Sequence, residues 1–105
     1  MTQLQDVQGF YNPFATKLDI KKYRKKPIII EAIRYTGDNK GDIRQFTKGQ
    51  AQANTGYSHM TIPTLEGDHR ADVGDWIIKG VKGEFYPCKS DVFDLTYDIV
   101  PVSDA

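Results

Sequence analysis

The alternation of apolar and polar residues is clearest in residues 28–35. Successive side chains of an extended chain point to opposite faces, and the isoleucines of this stretch fall on both faces. Apolar residues on both faces are typical of a strand inside a sheet, where other elements cover each side. The pattern therefore predicts a central strand, which should begin at or after Pro27 because proline has no amide hydrogen to give to a neighbouring strand.

Residues 74–89 predict a β-hairpin. Residues 76–78 and 85–86 are β-branched and aromatic, as suits a half-buried pleated surface. Gly80 and Gly83 bracket the connection between them, and glycines at these places are typical of a tight hairpin turn.

A second pair of strands is predicted between these two regions. Residues 60–65 have the composition of a strand, but Pro63 interrupts it and favours an edge or bulged position. Residues 66–68 form a turn, after which residues 69–72 should pair back on the first strand.

The first of two short predicted helices covers residues 39–48. Ile43 and Phe46 are spaced to face inward, and Gly49 is a typical helix stop. Residues 50–57 are polar and small, which indicates a loop.

The second predicted helix covers residues 91–96, with Ser90 as its N-cap. It should bury Val92, Phe93 and Tyr97. After it, residues 99–100 are expected to close the sheet.

Together these elements predict an α+β fold, with a small twisted, mainly antiparallel sheet, two short helices and an N-terminal arm. A chain of 105 residues fits a single domain, placed at residues 21–105. The arm, residues 1–20, contains Phe10, Tyr11 and Phe14, although disordered tails are usually poor in aromatic residues. Two interpretations stay open: the arm covers the core of its own domain, or it packs on a neighbouring subunit.

Composition narrows the class of protein. The formal net charge is zero, so no global field favours nucleic acid or an anionic membrane. The longest aliphatic run is three isoleucines, too short to cross a bilayer, and the first residues lack the features of a secretory signal. A single cysteine, Cys88, cannot form an internal disulfide, which fits a reducing compartment. We expect a cytoplasmic protein without membrane association.

No catalytic, metal or cofactor site is predicted. His59, His69 and Cys88 do not have the spacing of a metal site. Cys88 precedes a predicted helix beside a lysine, which could activate a thiolate, but a packed or merely exposed thiol is the better interpretation. Asp75 and Glu84 are better explained by a turn and a solvent face than by acid–base catalysis.

A set of basic and aromatic residues near strand ends and turns forms the candidate ligand site. Basic groups beside aromatic faces can hold a phosphorylated nucleotide by charge-assisted hydrogen bonds and stacking. In the alternative, the aromatic residues fill the core and the lysines keep the surface soluble. The set comprises Arg34, Tyr35, Arg70, Trp76, Lys79, Lys82, Tyr86 and Lys89. A separate basic run at residues 17–26 could bind phosphates or could be a solvated linker that protects a strand edge.

Four segments carry a resemblance to a family of small phage and prophage proteins without an assigned function, related to proteins with a Pro-Gly-Asp-Tyr-Gly signature. They are residues 23–39, 61–67, 74–89 and 93–97. At the signature this chain reads Val73-Gly74-Asp75-Trp76-Ile77, so only Gly74 and Asp75 match. The resemblance implies a phage origin and action in the cytoplasm of a bacterial host.

The expected function follows from the basic and aromatic residue set together with the resemblance to the phage and prophage family. We expect a non-enzymatic phage accessory protein, an anti-defence homo-oligomer that sequesters a small anionic, nucleotide-type ligand in a shared pocket. The alternative is a protein–protein interaction module that inhibits a host protein. Binding to nucleic acid is not expected to be the main activity.

Overall fold

The computed structural model describes residues 18–102 of the chain. Its elements are β1 (Glu31–Arg34), α1 (Lys40–Phe46), β2 (Gln52–Ala53), β3 (Met60–Thr64), β4 (Gly67–Ala71), β5 (Trp76–Lys79), β6 (Phe85–Cys88) and α2 (Ser90–Thr96). The predicted α+β class is confirmed. The strands form two antiparallel sheets of three strands each, in the orders β1-β5-β6 and β2-β3-β4.

The predicted hairpin is confirmed as β5 and β6, with Trp76 opposite Cys88 and Lys79 opposite Phe85. Gly83 N–H donates to the Gly80 carbonyl at 3.0 Å, and Gly80 N–H donates to the Glu84 carbonyl at 2.7 Å. This is a three-residue loop of the turn-plus-bulge type, which needs a positive φ at its last residue. Gly83 supplies that φ, at 81°.

The core lies between the two sheets and α1. One face of the first sheet contributes Ile77 and Phe85, the second sheet contributes Met60 and Ile62, and α1 contributes Ile43. Phe46 at the end of α1 packs edge-on against Phe85, with ring centroids 5.5 Å apart. The inward direction predicted for Ile43 and Phe46 is therefore confirmed.

The β3–β4 hairpin agrees with the prediction, but β3 is the middle strand of its sheet and not the edge or bulged strand that Pro63 favoured. This proline pairs with Asp68 of β4, whereas β2 pairs only with Met60 and Thr61. Pro63 therefore lies where β3 has a neighbour strand on one side, so its missing amide hydrogen breaks no ladder.

The prediction of a central strand at residues 28–35 was wrong. β1 spans only Glu31–Arg34 and lies at an edge of its sheet, with Ile28 and Ile29 exposed before it. Residues 99–100 were also expected to pair, but they form no strand. The apolar side chains of these two stretches are not buried by sheet pairing. They lie on the surface instead.

The second helix ends at Thr96 as predicted, but it differs from the prediction at its start and in its burial. Ser90 is its first residue and Lys89 its N-cap, without a side-chain capping bond. No residue of α2 is fully buried, and Val92 is exposed. The N-terminal arm lies outside the described residues, except for residues 18–20, which are exposed.

Candidate functional site

An open cavity of about 690 Å³ lies over the face of the first sheet that points away from the core. One wall is the chain leading into β1, and the other is the second half of α2 with the chain after it. We call it the apolar groove. Its lining residues are Pro27, Ile28, Ile29, Ile30, Glu31, Ala32, Phe46, Trp76, Phe93, Thr96, Tyr97, Asp98, Ile99 and Val100.

A row of three aromatic rings runs along the groove. Trp76 and Phe93 are stacked, with ring centroids 4.1 Å apart and planes 6° apart. Phe93 and Tyr97 have centroids 5.0 Å apart; they meet because residues four apart share one helix face. Stacked aromatic pairs contribute about 0.5–1.5 kcal/mol beyond their buried area, so this row holds α2 against the sheet.

Lys25 ties the chain before β1 to the end of α2. Its Nζ lies 4.7 Å from the centroid of the Tyr97 ring and donates a hydrogen bond to the Tyr97 hydroxyl at 3.2 Å. Tyr86 lies on the same side: burial, followed by a hydrogen bond with Tyr97, raises the pKa of Tyr86 to about 12. The groove therefore has an aromatic floor and a basic group at its rim.

The walls of the groove expose aliphatic side chains. Ile29 is 71% exposed and Ile99 is 93% exposed, and Ile28 and Val100 are also open to solvent. Single exposed apolar residues are ordinary, but contiguous ones that surround an apolar cavity mark interaction surfaces. Among the described residues, Trp76 Nε1 is also a buried donor without a hydrogen-bond partner.

Tyr35, one of the eight predicted site residues, is a core residue. Its side chain is fully buried, its hydroxyl donates to the Ser58 carbonyl, and burial raises its pKa. A ligand on the surface cannot reach it. This part of the predicted site is therefore corrected.

Two basic residues of the set are held by carboxylates. Lys89 Nζ lies 3.0 Å from Asp75 Oδ2 and 3.2 Å from Asp72 Oδ2. Arg70 Nε lies 2.7 Å from Asp72 Oδ1. The hydrogen bonds from Arg70 and Lys89 lower the pKa of Asp72, and those to Asp75 and Asp72 raise the pKa of Lys89. These charges are balanced locally, so an anion would have to displace a carboxylate to use them.

The other members of the set are dispersed. Arg34 is the cross-strand neighbour of Trp76, and Tyr86 lies on the same face of the sheet. Lys79 points to the opposite face, 4.0 Å from Glu31, while Lys82 lies in the exposed hairpin loop. The structure therefore brings Arg34, Trp76 and Tyr86 onto one face but does not gather all eight residues into one pocket.

Apart from Trp76, the residues that build the groove were not part of the predicted site. Phe93 and Tyr97 were expected only as helix residues to be buried, and the isoleucines of residues 28–30 only as strand residues. The signal that could have found them is the excess of aliphatic residues at 28–30 and 99–100, more than an edge strand and a short tail can bury.

In the described part of the chain, Cys88 is not placed as an activated thiol. Burial, then the charges of Asp75 and Asp91, raise the pKa of the Cys88 thiol against a smaller opposite effect of Lys25. A thiol with a raised pKa is a poor nucleophile near neutral pH. Between residues 18 and 102, no three His, Cys, Asp or Glu side chains are grouped as metal ligands, and no helix there has the length and apolar character needed to span a bilayer.

Comparison with known proteins gives no relative: no protein-family model, curated protein or solved structure matches this chain. The apolar groove therefore carries the functional argument.

Proposed function

We propose that this protein acts without catalysis, as a phage-encoded accessory protein that binds a protein of the bacterial host through the apolar groove. The observation that supports this is the groove itself, with exposed aliphatic walls and an aromatic floor. Apolar grooves of this kind accept the apolar face of a peptide or helix. Aromatic residues at the centre of an interface are also typical binding hot spots.

The groove suits an apolar partner segment better than a highly charged one. Most of its lining is aliphatic or aromatic, and its two carboxylates, Glu31 and Asp98, stand among those side chains. A fully buried charge would need a partner charge to offset its desolvation. The partner should therefore present a short run of apolar residues flanked by polar ones.

Affinity capture from bacterial lysate with matched surface variants tests the proposal. Ile29→Asp and Ile99→Asp place a charge on the groove walls at exposed positions, so folding should be unaffected. Leu65→Asp is the control, because Leu65 is 99% exposed at the β3–β4 turn and does not line the groove. We expect one host protein to be retained by the wild type and by Leu65→Asp, and to be lost from both groove variants. Equal retention by all four proteins would reject the groove as the binding site.

A second candidate function is the sequestration of a small anionic ligand, and the position of Lys25 favours it. Its ammonium group stands over the Tyr97 ring at the rim of the groove, where it could pair with a phosphate while a base contacts the aromatic row. The cavity volume of about 690 Å³ is within the range of small-molecule sites, about 300–1,000 Å³.

Calorimetry with cyclic nucleotides and ADP-ribose tests this second candidate. Lys25→Ala should weaken binding about tenfold or more, since a hydrogen bond to a charged group is worth about 1.5–3 kcal/mol. Lys22→Ala is the matched control, a neighbouring exposed lysine of the same basic run. The absence of binding heat with the wild type would exclude these ligands.

A further inference from the structure

The apolar groove is open at a place that the chain itself can reach. Its first wall, residues 27–32, follows directly from the described residues 18–26, and seventeen residues precede those. Twelve residues lie between Phe14 and Pro27, and an extended chain from one to the other spans up to about 43 Å. The N-terminal residues are therefore within reach of a groove of this size.

The composition of the N-terminal residues matches the groove. Residues 10–14 read Phe-Tyr-Asn-Pro-Phe, and Asp6 is the one charged side chain in residues 1–16. The basic run that follows contrasts sharply with this low charge. An apolar, aromatic segment next to a basic one suits a groove that has an aromatic floor and aliphatic walls.

We propose that residues 10–14 of this chain occupy the apolar groove, with Phe10 and Phe14 against the row formed by Trp76, Phe93 and Tyr97. Pro13 has a fixed φ and restricts the conformations open to Asn12, so less conformational entropy is lost on docking. The proposal rests on the groove being a binding site, as in the proposed function. It adds that a host partner must displace residues 10–14 to enter.

Trp76 is the natural reporter for this interaction, because it is the chain's single tryptophan and it lines the groove. In the full-length variant Phe10→Ala/Phe14→Ala, we expect the Trp76 emission to move to longer wavelength and its quenching by acrylamide to increase. The control variant Gln3→Ala/Gln8→Ala changes the same arm without removing an aromatic ring and should behave as the wild type.

Adding the segment back as a separate molecule completes the test. A synthetic peptide of residues 8–16 should restore the wild-type emission and quenching to Phe10→Ala/Phe14→Ala. The same peptide with alanine at both phenylalanine positions should not. It should also fail on a triple variant that additionally carries Ile99→Asp.

Unchanged Trp76 emission and quenching in Phe10→Ala/Phe14→Ala would overturn the inference. That result is separable from failure of the proposed function, which is read from capture of a host protein by the Ile29→Asp and Ile99→Asp variants. If the segment competes with the partner, Phe10→Ala/Phe14→Ala should capture more host protein than the wild type, while Gln3→Ala/Gln8→Ala should capture the same amount.

Discussion

At the scale of single residues, Asp75 organises the connection between β4 and β5. It is 5% exposed, and its Oδ2 accepts hydrogen bonds from the Asp72 amide at 2.8 Å and from Lys89 Nζ at 3.0 Å. Its own carbonyl accepts a bond from the Tyr35 amide at 2.8 Å. One carboxylate thus joins the turn before β5 to the start of α2.

We expect Asp75→Ala to lower the free energy of unfolding by about 1–3 kcal/mol, because it leaves a partly buried amide without its acceptor and Lys89 without its most buried partner. Urea unfolding followed by far-ultraviolet circular dichroism measures the change. Asp72→Ala is the matched control, because its ion pairs are exposed and exposed pairs contribute little to stability. Equal effects of the two substitutions would show that the burial of Asp75 is unimportant.

At the scale of elements, α1 has a glycine inside it and a glycine after it, and the two have opposite roles. Gly41 is the second residue of the helix, and a Cβ there would contact nothing within 4 Å. Gly49 has a φ of 83° and donates its amide hydrogen to the Arg44 carbonyl at 2.7 Å. This bond closes the end of the helix in the manner of a Schellman motif.

Gly41→Ala should therefore stabilise the protein by about 1 kcal/mol, since alanine is favoured over glycine in a helix and has fewer unfolded conformations to lose. Gly49→Ala should destabilise it by about 1 kcal/mol, since a Cβ is strained at that φ. Urea midpoints of both variants check the pair. If both variants were less stable than the wild type, the helix propensity of residue 41 would not limit the stability of α1.

Local sequence patterns predicted most of the helices and strands. They did not predict that the strands form two separate sheets. The β5–β6 and β3–β4 hairpins depend on nearby turns, so glycine and proline positions were enough to place them. The pairing of β1 with β5 joins Ile33 to Ile77 across the part of the chain that contains α1, β2, β3 and β4, and no local signal specifies such a contact. The same limit applies to the groove, where residues 27–32, Trp76 and residues 93–100 meet only after folding.

At the scale of the whole molecule, the segment before β1 stands apart from the folded core. Its residues 18–29 are all exposed, so few contacts hold this segment to its own domain. Segments with this placement are exchanged between copies at low energetic cost.

We therefore expect the N-terminal segment to occupy the groove of a neighbouring copy, which would make the protein a homo-oligomer. Each buried phenylalanine contributes about 1.5–3 kcal/mol, and a symmetric dimer gains this at two grooves. Sedimentation over a wide concentration range should show the wild type and Gln3→Ala/Gln8→Ala as oligomers and Phe10→Ala/Phe14→Ala as a smaller species. If wild type and variant sediment alike as monomers while Trp76 still becomes more accessible in the variant, the segment occupies the groove of its own chain and the exchange is rejected.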